Sequence, residues 1–306
     1  MRTITLGASG LEVPVIAVGC MRINGTSRKD AERFVKTALE LGANFFDHAD
    51  VYGGGACESI FAEAVGMSPA VRETLLLQTK CGIRPGIAFD FSKDHILASV
   101  DGSLGRLKTD YLDVLLLHRP DALAEPEEVA EAFDRLQAAG KVRHFGVSNQ
   151  GPALIRLLQK YVRQPVAANQ LQLSITNAAM ISQDLHENMG DDAAVDRDGG
   201  VLNFCRLNNI TIQPWSPFQY GFFEGVFVGS GKFPALNGKL DAIAEKYSAS
   251  ATAIALAWLL RHPAGFQPVI GTMNAARLAD CAKAADIRIT REEWYEIYLA
   301  AGNTLP

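Results

Sequence analysis

Four ionisable side chains stand where short apolar runs stop. Ala43–Phe46 ends at Asp47, Leu75–Thr79 ends at Lys80, and Val114–Leu117 ends at His118; Tyr52 follows Asp47 in a loop closed by Gly53, Gly54 and Gly55. Such runs read as buried strands, and strand side chains alternate faces with period two. Phe45 therefore shares a face with Asp47, Leu76 and Gln78 with Lys80, and Val114 and Leu116 with His118. With the strands as parallel neighbours, a carboxylate, an amine, a phenol and an imidazole meet at one end of one sheet. Each has an ordinary reading alone: an ion pair closing a sheet, a packed tyrosine, a core histidine. Four coincidences at one rim are a poorer explanation than a site, because mutually perturbing titratable groups gather where chemistry is done.

A free tyrosine titrates at about 10 and is a weak acid at neutral pH. A neighbouring ammonium stabilises its phenolate and eases release of the proton, and Asp47 keeps Lys80 charged despite burial. His118 can donate a hydrogen bond to an oxygen gaining negative charge. The set suits protonation of a carbonyl oxygen while hydride arrives at its carbon. No Cys or Ser nucleophile stands beside a base and no residue set has metal-ligand spacing, so a bound organic reductant is expected, and no metal.

The elements that must position these groups follow in regular alternation. Thr3–Leu6 and Glu12–Val18 form a hairpin around Gly7-Ala8-Ser9-Gly10. Ser27 or a neighbour can cap a helix expected over Arg28–Leu41, which Gly42 stops. Further helices are expected at Cys57–Val65, Asp94–Leu107, Pro126–Ala139 and Pro152–Tyr161. Counting Val15–Val18 first, eight strands are expected, the later ones at Lys141–Val147, Val166–Gln170, Ile210–Trp215 and Pro268–Gly271. Repeated strand–helix spacing is the mark of βαβ units, and eight such units close into a (β/α)8 TIM barrel. The expectation is thus an α/β fold, residues 1–306 as one domain, with an N-terminal hairpin and an extra C-terminal helix. A doubly wound open sheet is the second choice, but GxGxxG after the first strand is absent. Gly229-Ser230-Gly231-Lys232 is no phosphate loop, since its spacing is wrong and Phe233 stands where Ser or Thr is needed.

Two connections are long. His186–Gly200 is acidic (Asp191, Asp192, Asp196, Asp198) and reads as a solvated insertion, lacking calcium-ligand spacing. Pro217–Leu236 carries Phe218, Tyr220, Phe222, Phe223 and Phe227 and reads as a lid over the carboxyl ends of the strands. Polar groups also follow the later strands: Ser148-Asn149, Asn169-Gln170 and Trp215-Ser216-Pro217. Amides there can pair with a carboxamide, and an indole can stack on a flat ring. Gly271-Thr272-Met273-Asn274-Ala275-Ala276-Arg277 enters a helix and offers amides, a hydroxyl and a guanidinium to a phosphate. Capping by Thr272 and Asn274, with Arg277 as a solvated charge, is the plainer alternative.

Composition narrows the partners. The chain has 306 residues, a formal charge of −5 and a pI near 5.7, which argues against nucleic acid or an anionic membrane surface. Its longest apolar stretch, Ala253–Leu260, is too short to span a bilayer. MRTITLG has no leader pattern, and Cys20, Cys57, Cys81, Cys205 and Cys281 are scattered, so free thiols in the cytoplasm are expected.

Read together, DHADVYGGGACE, QTKCG, LLLHRPD, GKVRHFGVSN and VIGTMNAARL resemble the aldo-keto reductase family over nearly the whole chain. The resemblance implies a barrel that binds NADPH in an extended pose, without a Rossmann domain, and reduces a small carbonyl substrate. It implies Tyr52 as general acid, tuned by Lys80 and Asp47, with His118 orienting the carbonyl. It places Ser148, Asn149 and Gln170 on the carboxamide, Trp215 on the nicotinamide ring, and Ser216, Pro217 and Phe218 along the pyrophosphate. Thr272 and Arg277 would grip the 2′-phosphate. Gly19, Cys20, Met21, Asp47, Gly221, Gly271, Asn274 and Cys281 complete the expected cofactor contacts. Cys281 stands where many members carry an asparagine against adenine, Gly271 where some carry a lysine, and Trp215 where tyrosine is commoner. A monomer or weak oligomer is expected. A nicotinamide-sensing subunit like the channel β-subunits shares this fold and is the alternative function, and a barrel hydrolase using Asp47 is a distant third.

Overall fold

The computed structural model describes residues 1–306 and contains a closed parallel barrel of eight strands. In chain order these are Ala17–Gly19, Phe45–Asp47, Leu76–Cys81, Leu112–Leu117, Val142–Ser148, Val166–Gln172, Thr211–Trp215 and Val269–Ile270. The eighth pairs with the first (Val269 with Ala17, Ile270 with Val18), which closes the ring. Asp47 pairs with Gln78 and Lys80 with Leu116, so the second, third and fourth strands are parallel neighbours in the register the site requires.

Face alternation separates two cores. Ala17, Phe45, Val114, Leu116, Ala168 and Val269 fill the barrel interior, while Phe46, Leu77, Leu115 and Val147 point outward into the layer shared with the helices. The helices start and stop as the sequence dictates. Ser27 accepts the Asp30 amide at the start of Arg28–Glu40, and Ser92 that of His95 at the start of Lys93–Leu107. The C-terminal helix Arg291–Ala300 opens with a reciprocal capping box between Thr290 and Glu293. The N-terminal hairpin is shorter than expected, Thr3–Thr5 against Glu12–Pro14, and its buried Leu6 and Val13 seal one end of the barrel.

Both long connections are more ordered than their composition announces. In the acidic segment three of the carboxylates hold neighbouring backbone or side-chain groups. Asp191 caps Ala193 and Ala194, Asp196 accepts the amides of Asp198, Gly199 and Gly200, and Asp198 takes Gln183 Nε2 at 2.7 Å. The aromatic segment folds back as a small hairpin, Gln219–Tyr220 against Gly225–Val226, anchored by fully buried Phe227.

Candidate active site

Asp47, Lys80, Tyr52 and His118 come together at the carboxyl ends of the second to fourth strands. Lys80 is fully buried, and its ammonium donates to Asp47 Oδ2 at 2.7 Å, the His48 carbonyl at 2.8 Å and the Tyr52 hydroxyl at 3.2 Å. The His118 ring meets the Tyr52 ring edge-on, with centroids 5.8 Å apart. The loop that delivers Tyr52 depends on its glycines. Gly53, Gly54 and Gly55 all have positive φ, and a Cβ on Gly53 or Gly55 would come within 2.9 Å of Asn24 or Arg106. Just beyond, buried Glu58 accepts from Thr79 Oγ1 and from Arg106 Nε, each at 2.7 Å, and fixes the loop to the third strand and the helix beside it.

The electrostatics differ in one respect from the expectation. Burial raises the Tyr52 pKa, and the lowering by Lys80 does not overcome it. Tyr52 is therefore held as a protonated phenol at neutral pH. Burial also opposes charge on Lys80, yet Asp47 and then Tyr52 outweigh it and leave the ammonium pKa raised. His118 is pushed down to about 2 by burial and then by the Lys80 and Arg119 cations, so its ring is neutral. The arrangement holds a proton on a phenol, sets the phenol oxygen against an ammonium–carboxylate pair, and presents a neutral imidazole beside them.

Beneath Asp47 lies a feature that strand patterning did not reveal. Gln78 Nε2 donates to Asp47 Oδ1 at 2.6 Å, and Gln170 Nε2 donates to the same oxygen at 3.1 Å. Gln213 exchanges hydrogen bonds with Gln78 and accepts from Gln170, then donates to Gln267, which donates to the Pro14 carbonyl. This chain of buried amides crosses the barrel and fixes one oxygen of Asp47, leaving the other to Lys80. Its signal in the sequence is a Gln in or beside each of four apolar runs, at Gln78, Gln170, Gln213 and Gln267.

The expected cofactor residues fall into three groups. The first lines the fifth to seventh strand ends. Ser148 Oγ donates to the Gln170 carbonyl, Asn149 Nδ2 donates to Ser148 Oγ, and Trp215 Nε1 donates to Asn149 Oδ1 at 3.1 Å. Asn149 and Ser216 both hold positive φ, a costly conformation kept where the surroundings demand it. Gln170 commits its Nε2 inward, while no protein group donates to its Oε1. Pro217 is buried and Phe218 half-buried behind Ser216. At the tip of the small aromatic hairpin, Phe223 stacks on Trp215 at 5.9 Å, and the Gly221 carbonyl is held by Gln172 Nε2 at 2.7 Å.

The second group is the turn after the eighth strand. Thr272 Oγ1 accepts the Asn274 amide and Asn274 Oδ1 accepts the Arg277 amide, so both act as caps. Arg277 is exposed and forms no ion pair. Beside it stands an arginine that sequence reading missed. Arg22 Nη1 donates to the Gly271 carbonyl at 3.1 Å and occupies the space a Cβ on Gly271 would enter, 2.6 Å away. Only closure of the first strand on the last brings the two together.

The third group is not exposed at the mouth through its side chains. Cys20 is fully buried with its thiol turned to the Val18 carbonyl, and Met21 is half-buried with its carbonyl facing Cys57 Sγ. Gly19 packs against Val269 and Ile270. Cys281 sits in the helix-side core, where burial pushes its thiol up to about 12. No group of three or more His, Cys, Asp or Glu residues has a metal-binding arrangement, and no helix is long and apolar enough to cross a membrane.

A barrel with this rim can be compared with known proteins. Residues 15–300 match the model of the Aldo/keto reductase family. The chain is 37% identical over 307 residues to the uncharacterized oxidoreductase YcsN of Bacillus subtilis, covering 96% of each chain. It is also 37% identical over 310 residues to a 6-dehydroglucose reductase of Novosphingobium aromaticivorans, covering 98% of this chain and 96% of the relative. Among solved structures, the thermostable aldo-keto reductase Tm1743, crystallised with the inhibitor epalrestat, superposes with a TM-score of 0.79 at 27% identity, over 98% of this chain and all of the other. Barrel, rim and full-length similarity agree: this chain is an oxidoreductase of the aldo/keto reductase family.

Proposed function

We propose that the chain, acting as one catalytic unit, reduces an aldehyde or ketone to an alcohol with NADPH, Tyr52 serving as general acid. The observation that carries this reading is the 3.2 Å contact between the Tyr52 hydroxyl and the buried ammonium of Lys80, with Asp47 behind it. The bound nicotinamide would supply the hydride; the protein supplies everything else. Tyr52 gives its proton to the carbonyl oxygen as charge builds there, and Lys80 stabilises the phenolate left behind. Asp47 offsets the charge of Lys80, so the pair stays ionic in a site closed to water. The neutral His118 ring donates to the same oxygen and fixes the carbonyl against Tyr52.

The residues present fit such a cofactor. Gln170 Oε1 is an acceptor without a protein donor, suited to a carboxamide N–H, and Asn149 is held beside it by Trp215. Trp215 offers an indole face at the rim, with Ser216, Pro217 and Phe218 leading towards the turn at Gly271. There the amides that open the helix Ala275–Ala282, with Arg277, Thr272 and Arg22, would receive the phosphates. The reduction direction accords with relatives named 6-dehydroglucose reductase.

The test is NADPH oxidation followed at 4-nitrobenzaldehyde saturation, together with NADPH binding by fluorescence. Tyr52→Phe is expected to lower turnover about 10²–10⁴-fold, the range of a lost general acid, while binding persists. Tight NADPH binding without turnover on a broad carbonyl panel would refute the reductase reading and favour a sensor.

A further inference from the structure

The residue after His118 is a cation without a counter-ion. Arg119 is half-buried at the end of the fourth strand, and the structure gives its guanidinium no hydrogen bond and no ion pair. Its one aromatic neighbour is Trp215, whose ring centre lies 5.8 Å away. The other buried or half-buried arginines all have acceptors: Arg72 pairs with Asp113 at 2.6 Å, Arg106 pairs with Glu58 at 2.7 Å, and Arg261 donates to the Ile289 carbonyl at 3.0 Å. The acid nearest in sequence, Asp121, is occupied by the amides of Phe91 and Leu123, each at 2.8 Å. Arginine does not shed its proton, so a partly desolvated, unpaired guanidinium bears a cost that an arriving anion relieves.

That anion is not the nucleotide phosphate proposed above. Arg22 and Arg277 stand at the junction of the first and eighth strands, whereas Arg119 stands on the fourth, half the ring away. Arg119 instead adjoins the reacting groups. Its charge is felt by the His118 ring, and the Tyr52 oxygen is within its electrostatic reach. From this placement we propose that Arg119 determines specificity by pairing with a carboxylate carried on the carbonyl substrate, so that the preferred substrates are oxo-acids. The inference rests on the reductase reading and names the substrate class within it. Neutral hydroxyls could accept from the same planar fork but would leave its charge uncancelled, which is why a carboxylate is favoured.

The experiment compares kcat/KM with NADPH for 2-, 3- and 4-carboxybenzaldehyde against their methyl esters, in the full chain and in Arg119→Leu and Arg119→Lys. For the isomer whose carboxylate reaches the guanidinium, the acid-to-ester ratio is expected to be about tenfold or more, as a charge-assisted hydrogen bond gives. The ratio should fall by a similar factor in Arg119→Leu and only partly in Arg119→Lys, which keeps the charge but not the fork. Ratios near one for every isomer in the unmodified chain would overturn the proposal, as would a ratio unchanged in both variants. So would a polyhydroxylated neutral aldehyde such as glyceraldehyde losing as much as the acid in Arg119→Leu, because hydroxyl recognition would then be the role. Absence of turnover with every ester and acid would instead refute the reductase reading.

Discussion

Removing the Lys80 ammonium should damage the fold as well as the chemistry, and the structure sets the size. Lys80 and Asp47 face each other at 2.7 Å with almost no solvent on either side chain. At that distance an effective dielectric of about 20 gives an attraction of about 6 kcal/mol, much of which offsets the cost of burying two ions. In Lys80→Met that cost remains for Asp47 while the attraction vanishes. The carboxylate keeps the amides of Gln78 and Gln170 but no cation. The expected loss is about 3–5 kcal/mol of unfolding free energy, as for other buried pairs broken on one side. In Asp47→Leu/Lys80→Met no charge is stranded, and the double variant should be clearly more stable than the sum of the single losses. Urea unfolding of the four proteins of this cycle, followed by tryptophan fluorescence and far-UV circular dichroism, measures both quantities. A Lys80→Met loss below about 1 kcal/mol, or strict additivity in the cycle, would refute the claim that the pair is buried, dry and coupled.

Acid should destabilise the protein well above the carboxylate range. Burial holds His48 at about 3, His118 at about 2 and His262 at about 4, while unfolded imidazoles take up a proton below about 6.5. Stability is therefore fully present above that value and falls towards pH 4, by up to about 1.4 kcal/mol per pH unit for each ring. Asp50, raised to about 6 chiefly by burial, works the other way and softens the fall; unfolding curves at pH 7 and pH 5 check the sum. Arg277→Ala should weaken NADPH about tenfold to a hundredfold in fluorescence titration, the scale of a lost charged hydrogen bond, with little effect on NADH. Equal losses would remove the 2′-phosphate role. Gln213→Leu should cost about 1–3 kcal/mol, because it leaves Gln78 Oε1 and Gln267 Oε1 buried without a donor, and thermal unfolding reads that loss.

Much of this was legible because strand parity is a rigid rule. Knowing that Phe45 points inward is enough to place Asp47 at the rim, and the same holds for Leu116 and His118. The glutamine chain was not legible. One Gln in an apolar run shows nothing until barrel closure brings four of them into register. Arg22 was missed for a related reason: its partner at Gly271 lies at the other end of the chain, and only the first-to-eighth pairing joins them. The direction of the Tyr52 shift depends on how completely the ring is buried against how near the ammonium lies, two quantities no spacing rule supplies. The depth of Cys20 and Cys281 turns on which way a side chain faces after an element ends, where periodicity gives out.

The seal at the closed end of the barrel also has a bearing on how the chain folds. Arg2 donates to the Ala285 carbonyl, the Gly7 amide to Thr211 Oγ1, and the Ala17 amide to the Pro268 carbonyl. Each of these bonds joins the first strand, or the segment before it, to a residue at least 204 positions further on. Contacts of such separation form slowly, so the cylinder is expected to zip shut last along the seam between its first and eighth strands.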